Sequence, residues 1–430
     1  MFSKGRKGSI VIILMLLISI VFASSCSNQA PASAPAPKEA AKEAPKQATQ
    51  TSNTNGASTA AGEIKVGGSL PLTGVFSESA QYIKQGYEYW ASDVNSRGGL
   101  LGRKVKLIIY DDESSTDKAV TNYERAITVD KVDLLLGGYP GTANVAVMPL
   151  AEKYHMVFIG MGGHLKSFEQ GLTYSFASPP LMSEWEGLAL KQVIEAIPAD
   201  QRPKTLAIAS MNNVIGLAGR DSFNAEAKTL GIQVVMDETY NLPLTDATAI
   251  VAKAKEKNAD IFFSNSMFDD GLMTMRAMKS LKYNPKMIFQ TVGSVLPAWA
   301  KELGPDGDHV LSFAWWHPAF KYPYVDQINQ AAKDKYNAPV APQYFGLGFS
   351  WAKTLELAVE GAKTLDQAKI RDYLRNNSFD LPYGKGIRFD KRGLPPEFVG
   401  VTQTEDGKIK LLFPKDVATT KLVYPRPNWQ

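Results

Sequence analysis

Cysteine and histidine are scarce in this sequence, and their scarcity excludes several kinds of chemistry. Cys26 is the single cysteine, and the four histidines are His155, His164, His309 and His317. One thiol cannot form an internal disulfide, and no further cysteine can serve as a nucleophile or a metal ligand. No two histidines have the HExxH spacing of zinc peptidases. We therefore expect no disulfide, no metal centre and no cofactor.

An excess of positive charge is also missing from most of the chain. Residues 1–62 carry six basic and two acidic side chains, whereas residues 63–430 carry 41 of each sign. The formal charge of +4 therefore arises entirely from the first 62 residues. Nucleic-acid binders need surplus lysine and arginine to displace counterions from phosphates, so we expect no nucleic-acid partner.

The apolar run near the N-terminus is too short to span a bilayer as a helix. It covers 14 residues, 10–23, and follows Lys4, Arg6 and Lys7. This pattern is typical of an export signal, which we assign to residues 1–25. Residues 23–26 then resemble the lipobox of bacterial lipoproteins, although Ala23 stands where leucine is preferred. By that resemblance Cys26 carries lipid; an ordinary secretory signal or an uncleaved anchor are the alternatives.

Residues 27–62 contain no large apolar side chain. That segment consists almost entirely of small, polar and charged residues, with no aromatic and no aliphatic larger than alanine. Such a composition cannot bury enough surface to offset the entropy of ordering. We expect residues 26–62 to form a lipidated cysteine and a disordered linker. The protein would then be extracytoplasmic and anchored to the cell membrane.

From Glu63 onward, short apolar strands alternate with amphipathic helices. In the first helix, Ile83, Tyr87, Trp90 and Val94 share one face at helical spacing. One series of strands and helices runs to about residue 160, and a second runs from 205 to 290. Alternation of this kind predicts parallel sheets covered by helices on both faces. The expected fold is therefore α/β, with two Rossmann-like lobes.

Catalytic motifs are missing from this region. The glycine-rich segments at 98–104, 160–163 and 346–348 complete neither a phosphate loop nor GxGxxG, and no GxSxG elbow occurs. Ligands of open α/β sheets gather at the carboxyl ends of the strands. We therefore expect a binding protein and no enzyme, with its ligand held at those strand ends.

Small residues at the strand ends are the first candidates for contact with a ligand. Thr142 follows a glycine-rich strand end where a helix begins, so its hydroxyl and the helix N-terminus could hold a carboxylate. The alternative is that Thr142 caps its own helix. Ser79 offers the same choice before the first helix. Gly162 and Gly163 allow close approach of a ligand, or form a plain tight turn.

Aromatic residues also crowd the expected loops. An aromatic-lined cleft is one interpretation, and core packing is the other. The residues concerned are Phe76, Tyr139, Trp185, Phe268, Trp315 and Trp316.

These segments together resemble a known family. IKVGGSLPLTG (64–74), NSRGGLLGRKVKLIIYDDESS (95–115), LLLGGYPGTANVAVMPLAEKYHMVFIG (134–160) and YGKGIRFDKRGLPPEFVGVTQTEDGKIKLLFP (383–414) are similar to the binding proteins of ABC importers for leucine, isoleucine and valine. The resemblance implies a type I periplasmic binding protein whose two lobes are joined by a three-segment hinge. It assigns residues 63–180 and 309–384 to lobe 1, and 181–308 and 385–430 to lobe 2.

The resemblance also maps the family's ligand-binding positions onto this chain. The pair that grips the ligand carboxylate falls at Gly141 and Thr142, and the next strand end falls at Gly162 to His164. Ser79 and Ile215 occupy positions that hold tyrosine in the family. Val292 aligns with the acidic residue that holds the ligand ammonium. Without that acid an amino acid would leave a buried cation unpaired, unless Glu184, Asp269 or Asp270 supplies the charge.

We therefore expect a lipid-anchored substrate-binding protein of an ABC importer, which delivers a small organic solute to a membrane permease. The expected solute is an amino acid, an amide or an aromatic carboxylate. The missing acid at Val292 favours a carboxylate or amide that lacks a free α-ammonium group. A ligand sensor of the same fold and an exported α/β enzyme are the alternatives.

Overall fold

The computed structural model describes residues 62–179 and 181–429, without the side chains of residues 182–184. The predicted signal peptide, lipidated Cys26 and the linker up to residue 61 lie outside the described residues. The described part lies in one compact unit, Ser58–Gln430, with its own hydrophobic core. A unit of this kind is expected to fold independently.

The first sheet consists of parallel strands only. Its spatial order is β2-β1-β3-β4-β5, with Ile64 of β1 opposite Val105 of β2. The central strands β1, β3 and β4 are almost wholly buried, as expected for apolar strands covered on both faces. The strands are β1 (Ile64–Leu70), β2 (Val105–Asp111), β3 (Leu134–Leu136), β4 (Phe158–Gly160) and β5 (Ser175–Ala177).

Helices connect these strands, and their apolar faces cover the sheet. The predicted face of the first helix is buried at all four positions, Ile83, Tyr87, Trp90 and Val94. The helices of this series are α1 (Ser77–Ser96), α2 (Thr116–Thr128), α3 (Gly141–Lys153) and α4 (Leu165–Phe168).

The second sheet is larger and mixed. Its order is β14-β13-β10-β9-β8-β6-β7, and β13 runs antiparallel to both β10 and β14. A separate two-stranded sheet pairs β11 with β12. The strands are β6 (Thr205–Met211), β7 (Gln233–Tyr240), β8 (Ile261–Asn265), β9 (Met287–Gln290), β10 (Val310–Ala314), β11 (Phe379–Leu381), β12 (Gly384–Ile387), β13 (Gly400–Glu405) and β14 (Lys408–Phe413).

The later helices cover the second sheet and then return to the first. Helix α11 packs so closely on α1 that a β-carbon on Gly86 would lie 2.4 Å from the carbonyl oxygen of Phe345. The helices are α5 (Met182–Glu195), α6 (Val214–Thr229), α7 (Thr248–Glu256), α8 (Phe268–Ser280), α9 (Pro297–Leu303), α10 (Val325–Tyr336), α11 (Gln343–Ala362) and α12 (Gln367–Asn376).

Two sequence-based assignments need correction. Strand β10 pairs with β9 and β13 in the second sheet, so residues 310–314 do not belong to lobe 1 as the 309–384 boundary required. Ser79 is the third residue of α1 and does not precede it. The apolar spacing marked only the buried part of this helix, because the first turn does not need apolar side chains.

Two further observations concern the described residues alone. None of their helices is both long enough and apolar enough to cross a membrane. No three potential metal ligands of the described chain come together.

Candidate functional site

The strand-end loop after β3 is fixed by hydrogen bonds from three neighbouring side chains. The hydroxyls of Tyr87 and Tyr123 donate to the carbonyl oxygens of Gly137 and Leu136, each at 2.7 Å. Asn144 of α3 is buried; its Oδ1 accepts from the Gly138 N–H at 2.7 Å.

The same asparagine also reaches the loop after β4. Its Nδ2 donates to the carbonyl oxygens of Gly138 at 3.0 Å and of Met161 at 2.9 Å. One side chain therefore joins the two glycine-rich loops. The sequence analysis did not single out Asn144, although an asparagine in the first turn of a helix after such a loop is a usable signal.

The predicted residues of these two loops do come together. A β-carbon on Gly141 would lie 3.0 Å from the Gly162 carbonyl oxygen, 3.1 Å from the Gly163 α-carbon and 3.0 Å from Ile215 Cδ1. Ile215 belongs to α6 of the second series, so this contact crosses between the two halves. We call the region where Gly141, Ile215 and their neighbours meet the strand-end cleft.

Thr142 lies in the first turn of α3 and is partly exposed. The N-cap of this helix is Pro140, which makes no side-chain cap bond. The alternative that Thr142 is the cap of its own helix is therefore wrong. His164 instead precedes the short helix α4, and its Nδ1 accepts from the Lys166 N–H at 3.0 Å.

An aromatic cluster adjoins the cleft. The ring of Tyr139 lies 6.3 Å from Phe76 and 5.4 Å from Tyr344, both near perpendicular. Its hydroxyl lies 3.5 Å from the Tyr344 hydroxyl and 3.7 Å from Met267 Sδ. Burial raises the pKa of both phenols, and hydrogen bonding to Ser79 opposes the rise. The cluster therefore joins the segments just before α1 and α3, and the start of α11, to the segment after β8.

Of the remaining aromatic candidates, two occupy helices, whereas Trp315 and Trp316 follow β10 outside any helix. Phe268 begins α8, and Trp185 lies in α5; both are partly buried and pack against the core. Tyr344, at the start of α11, is the aromatic residue that the sequence analysis missed. Its position in the cleft depends on the return of α11 to the first sheet, which no local pattern indicates.

Buried polar side chains line the carboxyl end of the second sheet. The Ser266 hydroxyl donates to Gln290 Oε1, and Asn265 Nδ2 donates to Glu186 Oε2 at 3.1 Å. Within the described residues, Ser264 Oγ, Asn265 Oδ1 and Gln290 Nε2 are buried without a hydrogen-bond partner. A buried polar group left unpaired costs about 1–3 kcal/mol, so these three atoms favour a polar ligand.

Two buried carboxylates, Asp270 and Glu186, supply charge beside the cleft, and position 292 supplies none. Val292 is buried and its N–H donates to the Ser266 carbonyl oxygen at 3.2 Å. Asp270, in the first turn of α8, is 2% exposed and accepts a hydrogen bond from the Tyr240 hydroxyl. Burial raises the pKa of Asp270 to about 6, and its charge in turn raises the pKa of Tyr139.

A separate cavity opens beside the cleft, with a volume of about 800 Å³. Its wall includes Tyr82 of α1, the segment from Ser294 to Ala300, Trp316, the segment from Tyr336 to Gln343, and Lys408. We call this cavity the side groove. Of the aromatic candidates from the sequence, Trp316 contributes to this wall, whereas the ligand-binding positions implied by the family resemblance do not.

Comparisons with known proteins agree with this architecture. A family model described as periplasmic binding protein matches residues 63–408. Leu/Ile/Val-binding protein homolog 7 of Brucella abortus is 21% identical over 388 residues, covering 86% of this chain and 96% of that protein.

Two solved structures show the same fold. A leucine-binding protein from Thermotoga maritima superposes with a TM-score of 0.72 at 21% identity, covering 82% of this chain and 99% of that chain. The LivJ protein of Streptococcus pneumoniae, solved with isoleucine, gives 0.72 at 17% identity, with 81% and 99% covered. Since the family model spans most of the chain, including both sheets, this chain belongs to the periplasmic binding protein family.

Proposed function

We propose that this protein is an extracytoplasmic receptor of an ABC importer, which encloses a small organic solute between its two halves and delivers it to a permease. One observation carries the proposal: three buried polar atoms without partners, on Ser264, Asn265 and Gln290, lie at the carboxyl end of the second sheet. The Tyr139–Met267 contact joins that region to the first sheet. Family membership and the names of the relatives support the same role.

The preferred solute is a carboxylate or an amide without a free α-ammonium group, aromatic acids included. The position that the family resemblance assigns to the ammonium partner is Val292, which carries no charge. Thr142 offers a hydroxyl in the first turn of α3, at the helix end whose dipole favours an anion.

A second solute class has its own observation. Asp270 is a buried carboxylate in the cleft, and a solute ammonium would relieve the cost of burying its charge. The structural neighbour from Streptococcus pneumoniae, solved with isoleucine, is consistent with this class. An amino acid is therefore the second candidate.

Titration calorimetry separates the two classes. Four solutes should be titrated: leucine, isoleucine, phenylacetate and phenylacetamide. The proteins are the wild type from residue 62 onward and its Asp270→Asn and Thr142→Ala variants. Thr121→Ala, at an exposed position of α2, is the matched control. A preferred solute should bind the Asp270→Asn variant as well as the wild type and lose affinity in Thr142→Ala. If leucine binds the wild type but not Asp270→Asn, the solute belongs to the amino-acid class and the preferred class is wrong.

Closure of the two halves is the second test of the receptor role. Small-angle scattering at saturation with a solute that binds should give a smaller radius of gyration than the unliganded protein, because type I closure is a hinge motion. Identical curves at saturation, or the absence of any binding solute across amino acids, amides and aromatic acids, contradict the receptor proposal.

The anchor is the part of the proposal that depends on residues outside the described structure. Cys26 follows the export signal and is the only cysteine of the chain. The Cys26→Ala chain should be released from membranes or remain unprocessed, whereas Ser25→Ala should stay anchored. Membrane attachment of a fully cleaved Cys26→Ala chain would refute lipidation.

A further inference from the structure

The side groove has the size and composition of a small-molecule site. Ligand pockets generally enclose roughly 300–1,000 Å³ and are mainly apolar with a few placed polar groups. The side groove measures about 800 Å³. Its apolar wall includes Val295, Leu296, Val340 and Phe345. A body of two aromatic rings fits such a space better than a single short side chain.

Three residues in the wall carry buried polar atoms without partners. Gln343 Oε1 accepts from the backbone N–H of Trp315 at 3.3 Å, whereas Gln343 Nε2 has no partner in the described structure. The same holds for Trp316 Nε1 and Ser294 Oγ. The indole N–H and the amide nitrogen can only donate, and the serine hydroxyl can also donate. An occupant should therefore present oxygen acceptors to them.

The charges around the groove favour a negative occupant. Its wall contains Lys408 and Lys410 and, within the described residues, no carboxylate. Lys410 has one distant partner, Glu405, at 3.9 Å, and Lys408 has no ion pair in the described structure. His317 is neutral at pH 7, because burial lowers its pKa to about 4.

We propose that the side groove binds an organic anion: an apolar body of about two or three aromatic rings with one acidic, acceptor-bearing group. The proposal goes beyond the proposed receptor function, because it adds a second site beside the strand-end cleft and names the class of its occupant. The apolar body lies against Val295 and Phe345. The acidic group faces the donors of Trp316 and Gln343, and the two lysines supply long-range attraction.

A matched pair of fluorescent probes tests the proposal. 8-Anilinonaphthalene-1-sulfonate has two aromatic units and one anionic group; N-phenyl-1-naphthylamine has the same body without the charge. Both should be titrated into the body from residue 62 onward. We expect one saturable site per chain for the sulfonate.

Four variants locate that site. Ala338→Trp fills the groove from the segment before α11 and should weaken both probes at least tenfold. Ala368→Trp on α12, also partly exposed but outside the groove, should leave them unchanged. Lys408→Gln with Lys410→Gln should weaken the sulfonate several-fold and leave the neutral probe unchanged. If Ala338→Trp does not fold by circular dichroism, Ala300→Trp fills the groove from α9.

The outcomes separate this inference from the receptor proposal. Equal sulfonate binding by the wild type and the groove-filling variant overturns the inference, and so does equal sensitivity of both probes to the lysines. A saturable site lost only in Thr142→Ala overturns it while the receptor role stands. Failure of every solute to induce closure, with the probes bound as expected, overturns the receptor role alone.

Discussion

The strand-end cleft and the side groove are neighbours with opposite construction. In the cleft, backbone and side chains from both halves are already in contact: a β-carbon on Gly141 would meet Ile215 at 3.0 Å. In the groove, about 800 Å³ of space lies between apolar side chains. The cleft has a buried acid, Asp270, whereas the groove has lysines at its wall. The two regions therefore differ in kind: the cleft is tight and polar, whereas the groove is roomy and apolar.

The sequence predicted the cleft but not the groove, and the reason is distance along the chain. The cleft is built from strand ends whose glycines and hydroxyls follow apolar strands directly, as at Gly141 and Thr142. The groove combines side chains from α1, α9, the segment before α11 and the β13–β14 turn, which only the folded chain brings together. Trp316 appeared among the aromatic candidates, but nothing local indicated that its neighbour would be Gly346.

The largest expected effect concerns the groove wall. Trp316 is fully buried against α11, where a β-carbon on Gly346 would lie 2.1 Å from its ring. Trp316→Ala should lower the free energy of unfolding by about 3–5 kcal/mol, measured by urea denaturation. Trp429→Ala, at a partly exposed position, is the control and should cost less. An equal loss in both variants would mean that the groove wall is loosely packed.

The free energy of unfolding should depend on pH with opposite signs in the two regions. Asp270 in the cleft has its pKa raised to about 6 by burial, so the folded state binds the proton more tightly than the unfolded chain. Its contribution to stability falls as the pH rises from about 4 to 6. His317 in the groove has its pKa lowered to about 4 by burial, so the unfolded chain binds the proton more tightly. Its contribution falls as the pH drops from about 6.5 to 4.

Two variants make this difference measurable. Relative to the wild type, Asp270→Asn should gain stability between pH 4 and 6, and His317→Asn should gain stability as the pH falls through the same range. Each change is at most about 3 kcal/mol, since one pKa unit corresponds to about 1.4 kcal/mol. Asp112, whose pKa burial also raises to about 6, is common to all three proteins. Denaturation curves that shift in the same direction for both variants would contradict the assignment.

Added side-chain volume should be costly in the cleft and cheap in the groove. Gly141→Val would press against the Gly162 carbonyl and Ile215. Overpacking of this kind should lower the free energy of unfolding by about 1–3 kcal/mol. Ala338→Trp should stay within about 1 kcal/mol of the wild type, because the groove accepts the ring. Thermal denaturation compares the two directly. A larger loss for Ala338→Trp would show that the groove is closed in solution.

The smallest effects come from two buried serines, one in each region. Ser264 in the cleft and Ser294 in the groove both have hydroxyls without a partner in the described structure. Replacing either with alanine removes an unpaired polar group, so stability should change by less than about 1 kcal/mol. Binding should nevertheless separate them: Ser264→Ala should weaken an enclosed solute, and Ser294→Ala the sulfonate probe. If either variant loses both the enclosed solute and the sulfonate probe, the two regions form one binding site.

The sequence also predicted most elements of the fold, with errors of a specific kind. The apolar run from Ile64 to Leu70, ended by Pro71, predicts strand β1 with the limits that it has. The apolar spacing predicts helix starts near Leu217 and Gly271, but α6 and α8 begin three residues earlier, since the first turn lies outside the apolar pattern. Strand β10 was assigned to the wrong half because its partners, β9 and β13, are set by the hinge crossings and not by its own residues.

Asn144 has a consequence for how solutes are told apart. By joining the loops after β3 and β4, its amide preorganises the first-sheet half of the cleft before any solute arrives. The entropy of ordering those two loops is then lost during folding rather than during binding. In the proposed receptor, differences in affinity between solutes should therefore originate in the half contributed by α8 and the second sheet. Selectivity between solutes would then depend on the side chains of α8 and of the second sheet.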